Sequence, residues 1–519
     1  MVTQKRQAAA IASATFVAGC IAHSVRNYEP AQVARVSTLP APTPETVQHL
    51  LARFTFGATP RAAAEVRRLG IERWFDAQLS DTQGVGSGRV SPYAHALGEP
   101  EDVMAAFRAS EDTDPVDTDQ ISLRKQARRV NVKALLATVG AAQVQRQIES
   151  EAQLHALMVD FWSNHFNVFA RKNALKVLAG SYVESVIVPH ALGRFEDLLI
   201  ATAQSPAMLV YLDNDKSVAE QPHAHRGLNE NYARELLELH TLGVNAGYSQ
   251  ADVIDVARIL TGFGLGDPRE QGLSFEFSAE RHDRGAKRVL GRYFPAGVGQ
   301  EEGLDLLRFL ARHPATAEHI AQKLCQRFIS DDPSAACVAA VANTFSATSG
   351  DVPATLRSLL HLPGFWDPST RGAKLKKPSE FLASAARALG LTLDGTPDIA
   401  KVSEQLGEPA LLYPAPTGYP DRASAWAGSS QILARMDVAA RLVSGQIPGV
   451  NWPGLGQLLP PTEDHEQLLA RINALVFGGL ADRATLQILN DEASRASSPE
   501  EARTTALALA LGSPAFQRR

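Results

Sequence analysis

The chain is sparing with cysteine: three in 519 residues. No Cys-x-x-Cys-His run occurs, which excludes covalently attached haem, and so few thiols exclude a disulfide-built scaffold. Excess charge of one sign is also missing. Lys and Arg number 51 against 56 Asp and Glu, a formal net charge of -5, so nothing in the balance points to a nucleic acid or another polyanion. Beyond the N-terminus no apolar run is long enough to span a bilayer. There is no Gly-x-Ser-x-Gly elbow, no phosphate loop, no His-Glu-x-x-His and no repeat of solenoid length. What is present is a chain with 45% apolar and 21% charged residues, long enough for a large globular core.

The N-terminus has the pattern of an export signal. Lys5 and Arg6 form a positive start, and Ala8 to Ala18 a short apolar stretch. Val17-Ala18-Gly19-Cys20 resembles the lipobox of bacterial lipoproteins, which predicts a signal over residues 1–20 and lipidation at Cys20. A plain secretory signal, or an uncleaved leader, is the alternative. Ile21 follows the cysteine, so the aspartate that usually marks inner-membrane retention is absent. Residues 21–43, with Pro30, Pro40 and Pro42, then read as an extended tether. The expected location is the periplasm or the outer membrane, with a lipid anchor. Cys325 and Cys337 remain, and their spacing across QKLCQRFISDDPSAAC permits a disulfide.

The dominant period is 3.6. Helices are predicted near 44–55, 60–79, 120–147, 150–169, 174–189, 230–243, 250–261, 301–312, 315–329, 334–347, 351–361, 377–390, 429–445, 465–476 and 483–492. Thr43, Ser249 and Asp351 stand where N-caps belong. Strand signals are few: LSFEF (273–277) and KRVLG (287–291) predict a hairpin around AERHDRGA. The fold expected is mostly α, a multi-helical globular domain over 44–519 with a small inserted β-hairpin. Subdomains at 44–200, 201–330 and 331–519 fit the loop pattern.

Three segments carry candidate chemistry. In NENYARELLELHTLGV (229–244), a helical wheel puts Glu230, Arg234, Glu238 and Thr241 on one face, with Glu235 at its edge. His240 falls on the opposite, apolar face, roughly 160° from Glu238, so the two do not readily share a metal ion. The charged ladder reads either as a site or as surface pairs worth a few tenths of a kcal/mol each. In HALMVDFWSNHFNVFARK (155–172), His165 lies in an apolar stripe, and Asn164 and Asn167 flank it. A lone histidine there is usually a core residue. Two of them, His165 and His240, can also meet as metal ligands, as haem ligands or as acid and base. In ERHDRGAKRVLG (280–291), His282 beside Asp283, with Lys287 following, reads as a tuned base or as turn chemistry. The loop DNDKSVAEQPHAH (213–225) offers Asp213, Asp215, His223 and His225 to a divalent ion, or simply to solvent. His313 suits a helix cap.

DFWSNHFNV, NENYARELLELHTLGVNAGYSQADVIDVARILTGF, HDRGAKRVLG and HPATAEHIAQKLCQRFISDDP resemble, in that order, the family known as domain of unknown function 1800. HLLARFTFGATP (49–60), KKPSEF (376–381) and GEPALLYPAPTGYPDRASAW (407–426) fit the same pattern. The resemblance runs from about residue 44 to the C-terminus. Two positions depart from it: Tyr419 follows Gly418, and Phe263 follows Gly262, where tryptophan is usual. The resemblance implies an exported bacterial protein, often encoded beside a sulfatase-like exported partner, and supplies no activity. It picks out His165, Glu230, Arg234, Glu235, Glu238, His240, His282, Asp283 and Lys287 as motif positions.

The leading expectation is an envelope hydrolase with one polar cleft. Glu230, Glu235 or Glu238 would act as acid or base, and Arg234 would hold an anionic group. His282, tuned by Asp283, and Lys287 would complete the catalytic set, with Asn164, His165 and Asn229 contacting an envelope polymer. A non-catalytic binding or scaffold lipoprotein is the alternative, its charges locking helices together. A metal- or haem-dependent oxidoreductase using His165 and His240 is the third. No cofactor is required by the sequence.

Overall fold

A computed structural model of the chain describes residues 38–81, 93, 118–219, 227–266, 273–462 and 464–519, with backbone alone for 118–131. The expected signal, the expected lipidation site Cys20 and most of the expected tether lie outside these residues. Helices dominate, with three two-stranded antiparallel sheets between them. No described helix is long and apolar enough to cross a membrane. The described part falls within one compact unit, Arg35–Arg519.

The helices start where side chains can take orphan backbone N–H groups. Thr43, Ser249 and Asp351 each accept from the residue three ahead, and Ser249 with Asp252 closes a capping box. His313 caps the Pro314–Phe328 helix through its ring nitrogen. Gly70, at φ +83°, breaks the expected 60–79 helix into Pro60–Leu69 and Ile71–Ser80. A run expected at 150–169 stops at His165, where the chain turns into the core. Short helices at Phe195–Ala203, Pro206–Tyr211 and Ile399–Leu406, and the longer Pro499–Gly512, were not legible as separate elements.

The helix over the central motif is not regular. It is α-helical over Asn231–Glu235 and widens to a π-turn over Leu236–His240. Beyond Glu235 a wheel of 100° per residue therefore fails. Thr241, expected on the charged face, is fully buried and donates to the Leu236 carbonyl at 2.6 Å.

The expected hairpin is replaced by two. Strand β1 (Phe263–Leu265) pairs with β2 (Phe275–Phe277), and β3 (Lys287–Val289) with β4 (Arg292–Phe294). The intervening 278–286 segment cannot close a hairpin, because it folds back onto the end of the Gln250–Leu260 helix. Ser278 N–H donates to the Gly262 carbonyl, and Asp283 N–H to the Thr261 hydroxyl. The β3–β4 turn is Leu290-Gly291, both at positive φ, the conformation a two-residue hairpin requires.

The core is one connected cluster of aliphatic and aromatic side chains. Around the central motif it is aromatic: Trp162 contacts Phe161, Phe166 and Phe195. Trp162 is fully buried with its indole N–H on the Ala191 carbonyl. Truncating such a residue costs about 3–5 kcal/mol. Cys325 and Cys337 are bonded, with Cα atoms 6.4 Å apart, tying the Pro314–Phe328 helix to its neighbour Ala335–Ala347.

Candidate functional site

The two motif histidines do meet. His165 and His240 have ring centroids 6.2 Å apart, and His319, on the Pro314–Phe328 helix, lies 6.2 Å from His165. Their nitrogens are engaged by other groups. His165 Nε2–H donates to the His240 carbonyl at 3.1 Å, so Nδ1 is free to accept from Lys323 Nζ at 2.9 Å. His319 Nε2 donates to the Leu239 carbonyl. Burial, then Lys323, push His165 well below the usual range and His240 to about 3; burial takes His319 to about 4. Lys323 itself is pushed down to about 8 by burial. This is a core of neutral imidazoles around one lysine. His240 Nε2 is buried without a hydrogen-bond partner. Among the described residues, no group of three or more His, Cys, Asp or Glu is placed to hold a metal ion.

The charged ladder is half-exposed. Arg234 reaches Glu230 at 3.2 Å and the Gln250 side chain at 3.1 Å, and Gln250 donates to Glu230 at 2.7 Å. Glu235 is different: burial and the neighbouring Glu238 raise its pKa despite Arg234. Asn229 is spent on the chain, its amide donating to the Asp213 carbonyl and its oxygen accepting from Asn231 N–H.

The His-Asp turn is a knot of ion pairs. The Asp283 carboxylate is spent on partners other than His282. It faces Arg258 in a two-pronged pair, at 2.8 and 3.1 Å, and accepts from Gly285 N–H. Burial works against its charge, but these partners outweigh it and lower its pKa. His282 Nδ1 donates to the Thr261 carbonyl at 2.7 Å. Its Nε2 lies 3.2 Å from Glu302, though without hydrogen-bond geometry. Lys287 Nζ reaches the same Glu302 oxygen at 2.7 Å. His282, Lys287 and Glu302 are all at most 5% exposed. The ladder and the knot sit at opposite ends of the Gln250–Leu260 helix. Gln250 touches one and Arg258 the other, about 12 Å apart along the axis at ~1.5 Å per residue. The segments carrying His165 and His240 thus meet in the histidine core, while the charged ladder and the His282–Lys287 knot form separate clusters.

The late motifs build a second, larger network. Lys377 pairs with Asp160 at 3.3 Å and Glu408 at 2.9 Å. Glu380 holds Arg327, and Arg519 at 3.1 Å. Lys374 holds Asp331 at 2.6 Å and Asp421 at 3.3 Å. Burial opposes the Glu380 charge, yet Arg327, Arg519 and Lys377 keep its pKa far below the carboxylate range. Asn164 binds the Tyr419 backbone with both ends of its amide, at 2.8 and 2.7 Å, and Asn167 binds the Tyr413 and Ala415 carbonyls. Gly418, at φ +68°, passes so close that a Cβ there would lie 2.2 Å from the Asn164 carbonyl oxygen. Of the loop at 213–225, Asp213 is paired with Lys172 and Lys216, while His223 and His225 lie outside the described residues.

These networks join segments from residue 160 to residue 519. A family profile described as "Protein of unknown function (DUF1800)" matches residues 49–518. The chain belongs to this family. No curated protein and no solved structure matches it. Within this DUF1800 chain, sequence reasoning missed Arg258, Glu302, Lys323, Arg327 and Glu380 as partners of the motif charges. Only Glu380 had a local signal, three residues after Lys377 in KKPSEF, where it completes a cap by accepting from Lys377 N–H.

Proposed function

We propose that the protein is an exported, membrane-anchored component of the bacterial envelope that binds an envelope polymer without transforming it. The observation that carries this reading is the mutual pairing of the motif charges. Lys287 with Glu302, Lys377 with Asp160 and Glu408, and Glu380 with Arg327 and Arg519 pair with one another at buried positions. Such pairs fix how helices pack and leave little for a reacting group. The lipobox-like leader and the Cys325–Cys337 bond support an oxidising, extracytoplasmic location.

A second reading, a hydrolase, is favoured by one observation. Glu235 is half-buried and its pKa is raised by burial and by Glu238, the direction a general acid requires. The two readings separate in one experiment. The purified protein is incubated with cell-wall polysaccharide and peptidoglycan, and both co-sedimentation and new reducing ends are measured. Co-sedimentation with no new reducing ends is expected. Reducing ends that disappear in Glu235→Gln would install the hydrolase instead, and failure to sediment with any envelope polymer would sink the binding reading.

A further inference from the structure

We propose that a cavity near the C-terminal end of the chain binds a small amphipathic monoanion. Its charged end would rest on Arg519 and Lys376, and its apolar body against Phe477, Leu480 and Phe516. The cavity has a volume of about 390 Å³ and lies between the Pro44–Phe54 helix, the 371–384 segment, the 476–482 turn and residues 515–519. That volume is in the range of small-molecule sites. It is distinct from the histidine core and from the Glu230–Arg234 ladder, and it does not depend on the polymer-binding reading.

Cations gather at the cavity floor, where Glu380 is the one lining carboxylate and Arg519 already lies 3.1 Å from it. Arg519 lines the cavity, is 4% exposed, and has its Nη1 atom buried with no hydrogen-bond partner. Lys376 lines it too, 8% exposed, with Nζ 3.6 Å above the Phe516 ring. Behind this floor lie further guanidinium groups. Arg53 is fully buried with Nε and Nη1 unpartnered, and its Nη2 donates to the Thr370 carbonyl. Arg327 and Arg519 converge on one carboxylate, Glu380. The next carboxylate, Asp421, is shared between Arg327, at 4.0 Å, and Lys374, at 3.3 Å.

Buried cations with too few anions are costly unless a counter-charge arrives. Burial, and then Arg519, push Arg53 down to about 9, and burial pushes Lys376 to about 7. An anion seated on Arg519 would relieve both. At the mouth the charges balance, Glu45 and Asp482 against Arg371 and Arg518, so attraction is concentrated at the floor. Between floor and mouth the wall carries the apolar side chains of Phe56, Phe477, Leu480 and Ala481, with Gln48, Thr55 and Ser384 among them. A ligand with one charge and a hydrocarbon body matches this order of surfaces, whereas a polyvalent anion would meet Glu45 and Asp482.

The test is calorimetric titration of the purified full-length chain with sodium octanoate. Acetate supplies the charge without the body, and 1-octanol the body without the charge. We expect one octanoate per chain, bound at least about tenfold more tightly than either control. Lys376→Met and Arg519→Met should each weaken it at least about tenfold, and Ala481→Trp, which fills the cavity without touching the charges, should abolish it. Thermal melting of each variant distinguishes lost binding from lost fold. No saturable octanoate binding, equal binding of octanol, or binding indifferent to both Lys376→Met and Ala481→Trp would overturn the proposal. So would sedimentation with phosphatidylglycerol vesicles in the absence of any octanoate binding, since the ligand would then be a membrane surface.

Discussion

Glu302 balances the charge of the HDRGAKR turn from a different helix, fifteen residues beyond Lys287. Glu302→Gln would remove the nearer carboxylate of the buried Lys287 ammonium, leaving Asp283 at 3.7 Å. A loss of about 3–5 kcal/mol is expected, read as a lower urea midpoint; an unchanged midpoint would show that the pair is not structural. Arg234→Ala makes the opposite case. Its partner Glu230 is half-exposed, so the change should stay within about 1 kcal/mol of wild type by the same assay. Gly418→Ala would bring a Cβ against Asn164 at a positive φ, and a loss of at least about 2 kcal/mol is expected. Residue types and burial were legible at this scale. His165 and His240 were placed on apolar faces, and both are 1% exposed. Partners were not. Arithmetic along one helix pairs Glu230 with Arg234, but it cannot find Arg258 for Asp283 or Glu302 for His282, because those contacts are made by tertiary packing.

Caps and breaks set the elements, and here the sequence spoke clearly where a side chain acts on its own backbone. Thr43, Ser249, His313 and Asp351 act locally and were read as starts. Strand pairing is non-local. FEF and KRV were recognised as strands, but their partners, Phe263–Leu265 and Arg292–Phe294, were hidden. Phe263–Leu265 lies past the helix expected at 250–261 and carries no alternation of its own, and Leu290-Gly291 lacks the Asn-Gly signature of a tight turn. The disulfide belongs to this scale as well. It closes a loop with a sequence separation of 12 between two helices that pack together. Replacing both cysteines by alanine should cost about 2–3 kcal/mol, measured by chemical denaturation. A double variant as stable as the oxidised protein would mean the helix pair needs no tether.

Across the whole molecule, acid sensitivity follows from the buried imidazoles. His49 and His319 are held at about 4 and His240 at about 3, chiefly by burial, and His165 lies well below its ordinary value. In the unfolded chain each ionises near pH ~6.5. Above that pH neither state binds the extra proton. Below it the unfolded state takes up protons that the folded state refuses, so stability falls as pH drops from about 6.5 towards 4. Each such histidine contributes about 1.4 kcal/mol per pH unit in that window. Denaturation between pH 7.5 and 4.5 should show this slope, and His240→Asn should reduce it by one proton. An unaltered slope would mean that His240 titrates freely in the fold.

The π-turn at Leu236–His240 has a consequence for how this chain could have been altered over time. A π-turn accommodates one residue more than an α-turn of the same span, which is how a single inserted codon is absorbed without displacing the elements on either side. Winding the same residues as an even α-helix would carry His240 further round the axis, away from His165 and Phe166. The imidazole cluster therefore depends on an irregularity one residue long. An even winding at this point would dismantle it more thoroughly than most substitutions of the residues that compose it.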